Sequence, residues 1–140
     1  GDGGWTSFDQ GVAEALSEKG IPVLGLDAQK YFWQERTPNE TAIAVSKILQ
    51  HYMAQWGKKS FILCGYSFGA DIIPFIASRL PSGLMQMMRS AVLMSPDPSA
   101  DFEIHVADML SIGSGNDRYN VLKELKKIFS LLTIEKMFRK

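Results

Sequence analysis

The sequence predicts an α/β fold with a mostly parallel sheet and helices on both faces. Three observations carry this reading. Residues 22–26, 61–64 and 91–94 are short continuous apolar runs of the length expected for buried parallel strands. Helical apolar patterns lie between them, as the connections of a parallel sheet require. The run over 61–64 then feeds straight into Gly65-Tyr66-Ser67-Phe68-Gly69, a glycine-flanked serine between a strand and an apolar helix.

Length and composition set the scale. With 140 residues, of which 46% are hydrophobic and 21% charged, the chain is expected to form one domain and no second core. Acidic and basic residues balance at 15 each, so net charge argues neither for nucleic acid nor for a strongly acidic partner. The balance is uneven along the chain: 7 basic residues follow Asp117 against 2 acidic ones, a pattern read as a solvated helix face ahead of an anionic-lipid surface. Cys64 is the single cysteine, which excludes an internal disulfide, and its place in an apolar strand predicts a small buried hydrophobe. No run is long enough for a membrane span, and no signal-peptide pattern opens the chain. Because it opens on a loop, the native protein is expected to extend upstream.

Taken in order, Gly1-Asp2-Gly3-Gly4-Trp5 is a tight glycine-rich loop, and Thr6 or Ser7 caps the helix after it. Phe8, Val12, Ala15 and Leu16 share a face of that helix, Gly20 ends it, and residues 22–26 form the first strand. Residues 28–36 read as an irregular connection holding Tyr31, Phe32 and Trp33; these cover the sheet edge or wall a cleft above the strand ends. Thr37-Pro38-Asn39-Glu40 combines a cap, a proline at the first helical position and a capping-box glutamate, so a long helix runs from there to Gly57. His51 lies on it and reads as a surface or packing histidine. After the serine, an apolar helix spans 68–80 with a bend at Pro74, and Asp71 sits in its first turns, where the helix dipole favours a carboxylate. A methionine-rich helix over 84–89 precedes the strand at 91–94. An amphipathic helix over 119–129 and a further strand over 131–134 close the chain.

The serine pattern has a chemical meaning. A strand turning sharply into a helix exposes the serine at the sheet's carboxyl end, and side chains on its flanks would collide, hence glycines. The helix start leaves backbone N–H groups free, so the amide of Phe68 is a donor for an oxyanion formed on an attacked carbonyl. Such a nucleophile needs a histidine base and an acid to orient it, in the chain order serine, acid, histidine. Asp97 or Asp101 followed by His105 fits that order, although Asp101 and His105 are spaced to pair with each other on one helix turn. The usual acid and histidine come after later strands, so this chain is expected to be an incomplete version of the fold, lacking upstream strands and the carboxyl-terminal acid and histidine region. The chemistry calls for no metal and no cofactor.

Several stretches together resemble a known family. They are Gly1-Asp2-Gly3-Gly4-Trp5, residues 20–27, Tyr31-Phe32-Trp33 with Arg36-Thr37-Pro38, Gly65-Tyr66-Ser67-Phe68-Gly69-Ala70-Asp71, and residues 100–106. In combination they are similar to the bacterial virulence family of VirJ and the carboxyl-terminal domain of AcvB, over the chain to about Leu110. The resemblance implies an α/β-hydrolase-like fold over residues 1–140, periplasmic location, and hydrolysis of aminoacylated phosphatidylglycerol, chiefly the lysyl form. It also implies a link with type IV secretion proteins and contact with a membrane surface. Carried onto this sequence, the nucleophile is Ser67 and the oxyanion donors are Phe68 with the loop at Asp2 and Gly3. By position alone, Asp27, Trp33 and Glu35 are candidates to line a cleft for a cationic headgroup. The competing expectations are a hydrolase-fold adaptor that docks secretion partners, and a generic carboxylesterase.

Overall fold

A computed structural model of the chain describes residues 3–103 and 119–128. At its centre is a two-stranded parallel sheet, β1 (Phe61–Tyr66) beside β2 (Met88–Met94), with Cys64 opposite Val92 and Tyr66 opposite Met94. The ladder runs one residue past β1, where the Ser67 amide donates to the Met94 carbonyl at 2.8 Å. Two parallel strands need a long crossover. Helix α4 (Phe68–Ala77) and helix α5 (Ser82–Met87) supply it.

Helix α4 is the core. Every residue from Ala70 to Ala77 is buried, consistent with a sequence that offers it almost no polar face. It packs on β1 and β2 and, on its other side, against α3 (Pro38–Gln55). The start of α3 is the expected capping box: the Glu40 amide donates to Thr37 Oγ1, and Glu40 Oε2 accepts from the Thr37 amide. Beneath the amino end of α4 lies a knot of rings. Phe32 meets Phe68 edge-on at 5.1 Å and Phe102 at 5.7 Å, while Phe102 also meets Phe75 at 5.5 Å and Tyr119 at 5.2 Å. Such edge-to-face pairs each add about 0.5–1.5 kcal/mol beyond area burial. Phe68, the residue after Ser67, is thereby anchored.

Several expectations are corrected. Residues 21–27 take no regular secondary structure and join no sheet among the described residues, and Ile21, Val23, Leu24 and Leu26 are exposed. An apolar run becomes a strand only where a ladder partner accepts its amides. The connection after it is less irregular than expected: α2 (Ala28–Tyr31) forms because the Asp27 carboxylate accepts from the Lys30 amide. Phe32 beyond it is fully buried. Helix α4 stops at Ala77 rather than Leu80, and β2 starts at Met88, inside the stretch read as helix. Tyr119 and Asn120 are not helical. They pair antiparallel with Ser99 and Ala100, forming β3 (Ser99–Ala100) and β4 (Tyr119–Asn120). The Asn120 side chain then caps a helix over residues 121–128, here α6, by accepting from the Lys123 amide. The expected strand at 131–134 lies outside the described residues.

Cys64 is exposed, not buried. Strand alternation puts it with Ile62 and Tyr66 on the face away from α4, and that face, with Val92 beside it, is open. Helix α1 (Ser7–Glu18), held by a Thr6–Asp9 capping box, buries none of its residues and meets this face through Phe8 and Tyr66, 6.0 Å apart. The expected covering of both sheet faces by helices is therefore met on the α4 side only, among the described residues.

Helix α6 is pinned by one carboxylate. Glu124, buried to 7% side-chain exposure, accepts from Ser78 Oγ at 2.5 Å and Arg79 at 2.8 Å and pairs with Lys127 at 3.3 Å. Burial alone pushes its pKa up. The hydrogen bonds from Ser78, Arg79 and Lys127, with the charge of Arg79, outweigh burial and hold it below the ordinary glutamate value. A depressed carboxyl stabilises the fold above its unfolded pKa, and that contribution is lost as pH falls through the folded pKa. Glu124→Gln is therefore expected to cost about 1–3 kcal/mol at neutral pH and to flatten the acid limb of thermal midpoint against pH. An acid limb identical to that of the wild type would mean that Glu124 does not hold the helix.

Candidate active site

The turn from β1 into α4 has the geometry a nucleophile elbow requires. Ser67 is held at φ 52°, ψ −119°, a region that residues with side chains rarely enter. Gly65 explains how the turn closes: a Cβ there would lie 2.5 Å from the carbonyl carbon and oxygen of Gly69 and 2.7 Å from the amide nitrogen of Ala70. Strand and helix touch backbone to backbone. The Ser67 amide is used by the sheet and its carbonyl accepts from Asp71, which begins the helix. Its hydroxyl makes no cap bond. The amides of Phe68, Gly69 and Ala70, in the first turn, have no intrahelical acceptor, and Phe68 is the expected oxyanion donor.

The opening loop packs against the segment that leads into α2. Gly4, buried at φ +76°, packs against Asp27 and Gln29, and the Trp5 ring covers Gly25. Phe8 then reaches Tyr66, the residue before Ser67. Gly3 lies in the turn leading into Gly4; Asp2, its expected partner as oxyanion loop, lies outside the described residues.

The loop after β2 stands beside the elbow. Its first residue, Ser95, has φ 51°, and its third, Asp97, donates its amide to Asp71 Oδ1 at 2.6 Å. Asp71 is 5% exposed, so the carboxylate expected to answer a helix dipole also ties the elbow helix to this loop. The Asp97 side chain is exposed, and Asp101, half-buried, accepts from the Phe102 amide. His105 lies outside the described residues, so its pairing with either acid does too.

Of the residues expected to line a cleft, Asp27 lies beside Gly4 of the opening loop. Asp27 is spent on capping α2 and lies 3.9 Å from Lys30 Nζ. Trp33 is 54% exposed and frames, with Gln29 and Lys30, an open depression of about 470 Å³. Glu35 is exposed. His51, also exposed, meets Tyr52 edge-on on α3. Asp71 and Ser95 are the two residues whose part at this site the sequence did not announce. The available signals were a lone carboxylate in the otherwise apolar first turns of α4, and a serine directly after β2 as Ser67 directly follows β1.

The model of the family described as bacterial virulence protein (VirJ) matches residues 1–134. The chain belongs to the VirJ family. That match takes in the opening loop, the elbow and the loop after β2 as one unit. The chain matches no curated protein and no solved structure. Among the described residues of this VirJ chain, no helix is long and apolar enough to cross a membrane, and no cluster of metal-ligating side chains occurs.

Proposed function

We propose that this VirJ-family chain is a serine ester hydrolase of α/β-hydrolase-like fold, acting in the periplasm on the aminoacyl ester of lysyl-phosphatidylglycerol. The observation that carries the reading is the conformation of Ser67 at φ 52°, ψ −119°, wedged by the Gly65 contact with α4. Strain of this kind persists where the surrounding structure over-determines it, and it concentrates at functional sites. Ser67 Oγ attacks the ester carbonyl, the carbonyl oxygen becomes an oxyanion facing the Phe68 amide, and the lipid alcohol leaves. Water then cleaves the acyl-enzyme to release the amino acid. Oγ must pass its proton to a histidine, for which His105 with Asp97 or Asp101 is the candidate set within this chain.

A fluorophosphonate probe tests this directly. In the full-length protein, stoichiometric labelling is expected, with the adduct mapped to the peptide that carries Ser67 and its formation slowed by excess lysyl-phosphatidylglycerol present during labelling. A full-length protein that neither labels nor turns over this lipid would overturn the hydrolase reading. The second reading, an adaptor docking type IV secretion proteins, draws on the open apolar face of Ile62, Tyr66 and Val92. It would stand if that face bound such a protein while Ser67 stayed inert.

A further inference from the structure

Among the described residues, two that are not glycine have positive φ, and both are serines: Ser67 at 52° and Ser95 at 51°. They are neighbours. Tyr66 pairs with Met94 in the parallel ladder, and each serine is the next residue on its strand, with the Ser67 amide bonded to the Met94 carbonyl. The two Cα atoms therefore stand about one inter-strand spacing apart, roughly 5 Å. Ser95 also precedes Pro96, a position that strongly favours extended backbone, so its conformation is opposed twice. What holds it is the buried Asp71 carboxylate gripping the Asp97 amide from within α4. Neither serine hydroxyl has a hydrogen-bond partner among the described residues. A turn forced against its own preference, exposed, and set beside the nucleophile has the features of a substrate contact.

We propose that Ser95 is a specificity residue of the Ser67 site, its hydroxyl oxygen accepting a hydrogen bond from the α-ammonium of an aminoacyl ester. The proposal rests on the hydrolase reading above and adds to it which part of the substrate is recognised. In an ester under attack by Ser67, the α-ammonium sits on the carbon next to the carbonyl, within reach of a hydroxyl one strand away. A hydrogen bond to a charged group is among the stronger kinds, so its loss is selective for substrates that carry that charge.

The test compares a lysine ester with the matched ester of the same alcohol that lacks the α-amino group but keeps the side-chain amine, in the full-length protein. Ser95→Ala and Ser95→Gly are each expected to lower kcat/KM for the lysine ester about 10- to 100-fold and to leave the des-amino ester within about twofold. The glycine variant, freed of the φ constraint, is expected to be no less heat-stable than the wild type, which separates recognition from folding. Equal losses on both esters would mean a structural turn, and no loss on either would mean a spectator; each overturns the proposal while fluorophosphonate labelling of Ser67 still upholds the hydrolase. A wild type that cleaves neither ester and does not label retires both.

Discussion

Ser67→Ala, made in the full-length protein, is expected to abolish ester hydrolysis, on the order of 10⁴-fold or more, and to leave the thermal midpoint nearly unchanged. The two halves of this expectation have separate causes. On the hydrolase reading Oγ is the nucleophile, and the substitution removes it. The hydroxyl caps nothing, so no structural bond is lost with it. Alanine also has a Cβ and suffers the same φ of 52°, so the strain is carried over intact. Ser67→Gly separates the terms further: equally inactive, it is expected to gain about 1 kcal/mol of stability, because glycine adopts this backbone freely. Turnover of lysyl-phosphatidylglycerol and a melting curve for each variant check both halves. A large fall in midpoint for Ser67→Ala would mean the hydroxyl holds the fold together, and residual turnover near the wild-type rate would place the chemistry elsewhere.

The parts of this site that were legible in the sequence are those set by local sterics and chain direction. Gly65 and Gly69 around Ser67, following an apolar run, admit few backbones, and the structure adopts the one expected. The capping box at Thr37 was equally legible, because a cap is settled within four residues, whereas for the first helix the sequence left Thr6 or Ser7 and the structure takes Thr6. What escaped depends on partners remote in sequence. Residues 22–26 have a strand's composition, yet strandhood needs a neighbour on the ladder, which composition does not reveal. Cys64 could be assigned to a strand but not to a face, because the choice of covered face is made by where α4 lands. Asp71 was read by its place in a helix, whereas its partner is the Asp97 amide, reached only once β1 and β2 lie side by side. Ser95 is the sharpest case. Its proline neighbour predicts extended backbone, and the structure overrides that preference through a carboxylate on another element.

Gly65→Ala is where tight local sterics have the largest expected effect on the fold. The new methyl would sit 2.5 Å from the Gly69 carbonyl carbon and oxygen and 2.7 Å from the Ala70 nitrogen, where ordinary contact needs about 3.5 Å, so strand and helix must part by roughly 1 Å. Neither side yields easily. The colliding atoms are backbone in the first turn of α4, whose Asp71 amide bonds the Ser67 carbonyl, and the Phe68 ring just before them is locked in the aromatic knot. On the other side, β1 is fixed to β2 by the parallel ladder. The expected cost is at the upper end for overpacking, about 3 kcal/mol, or on the order of 10 °C in the thermal midpoint. Displacement of Ser67 by about 1 Å should also slow fluorophosphonate labelling about 100-fold. Gly25→Ala provides the contrast, because the three atoms nearest to a Cβ there all belong to the ring of Trp5, a side chain that is 39% exposed and can swing outward. That variant is expected to lose less than about 1 kcal/mol. A Gly65→Ala protein that melts and labels like the wild type would mean that strand and helix do not meet at this turn, and the elbow would lose its physical basis.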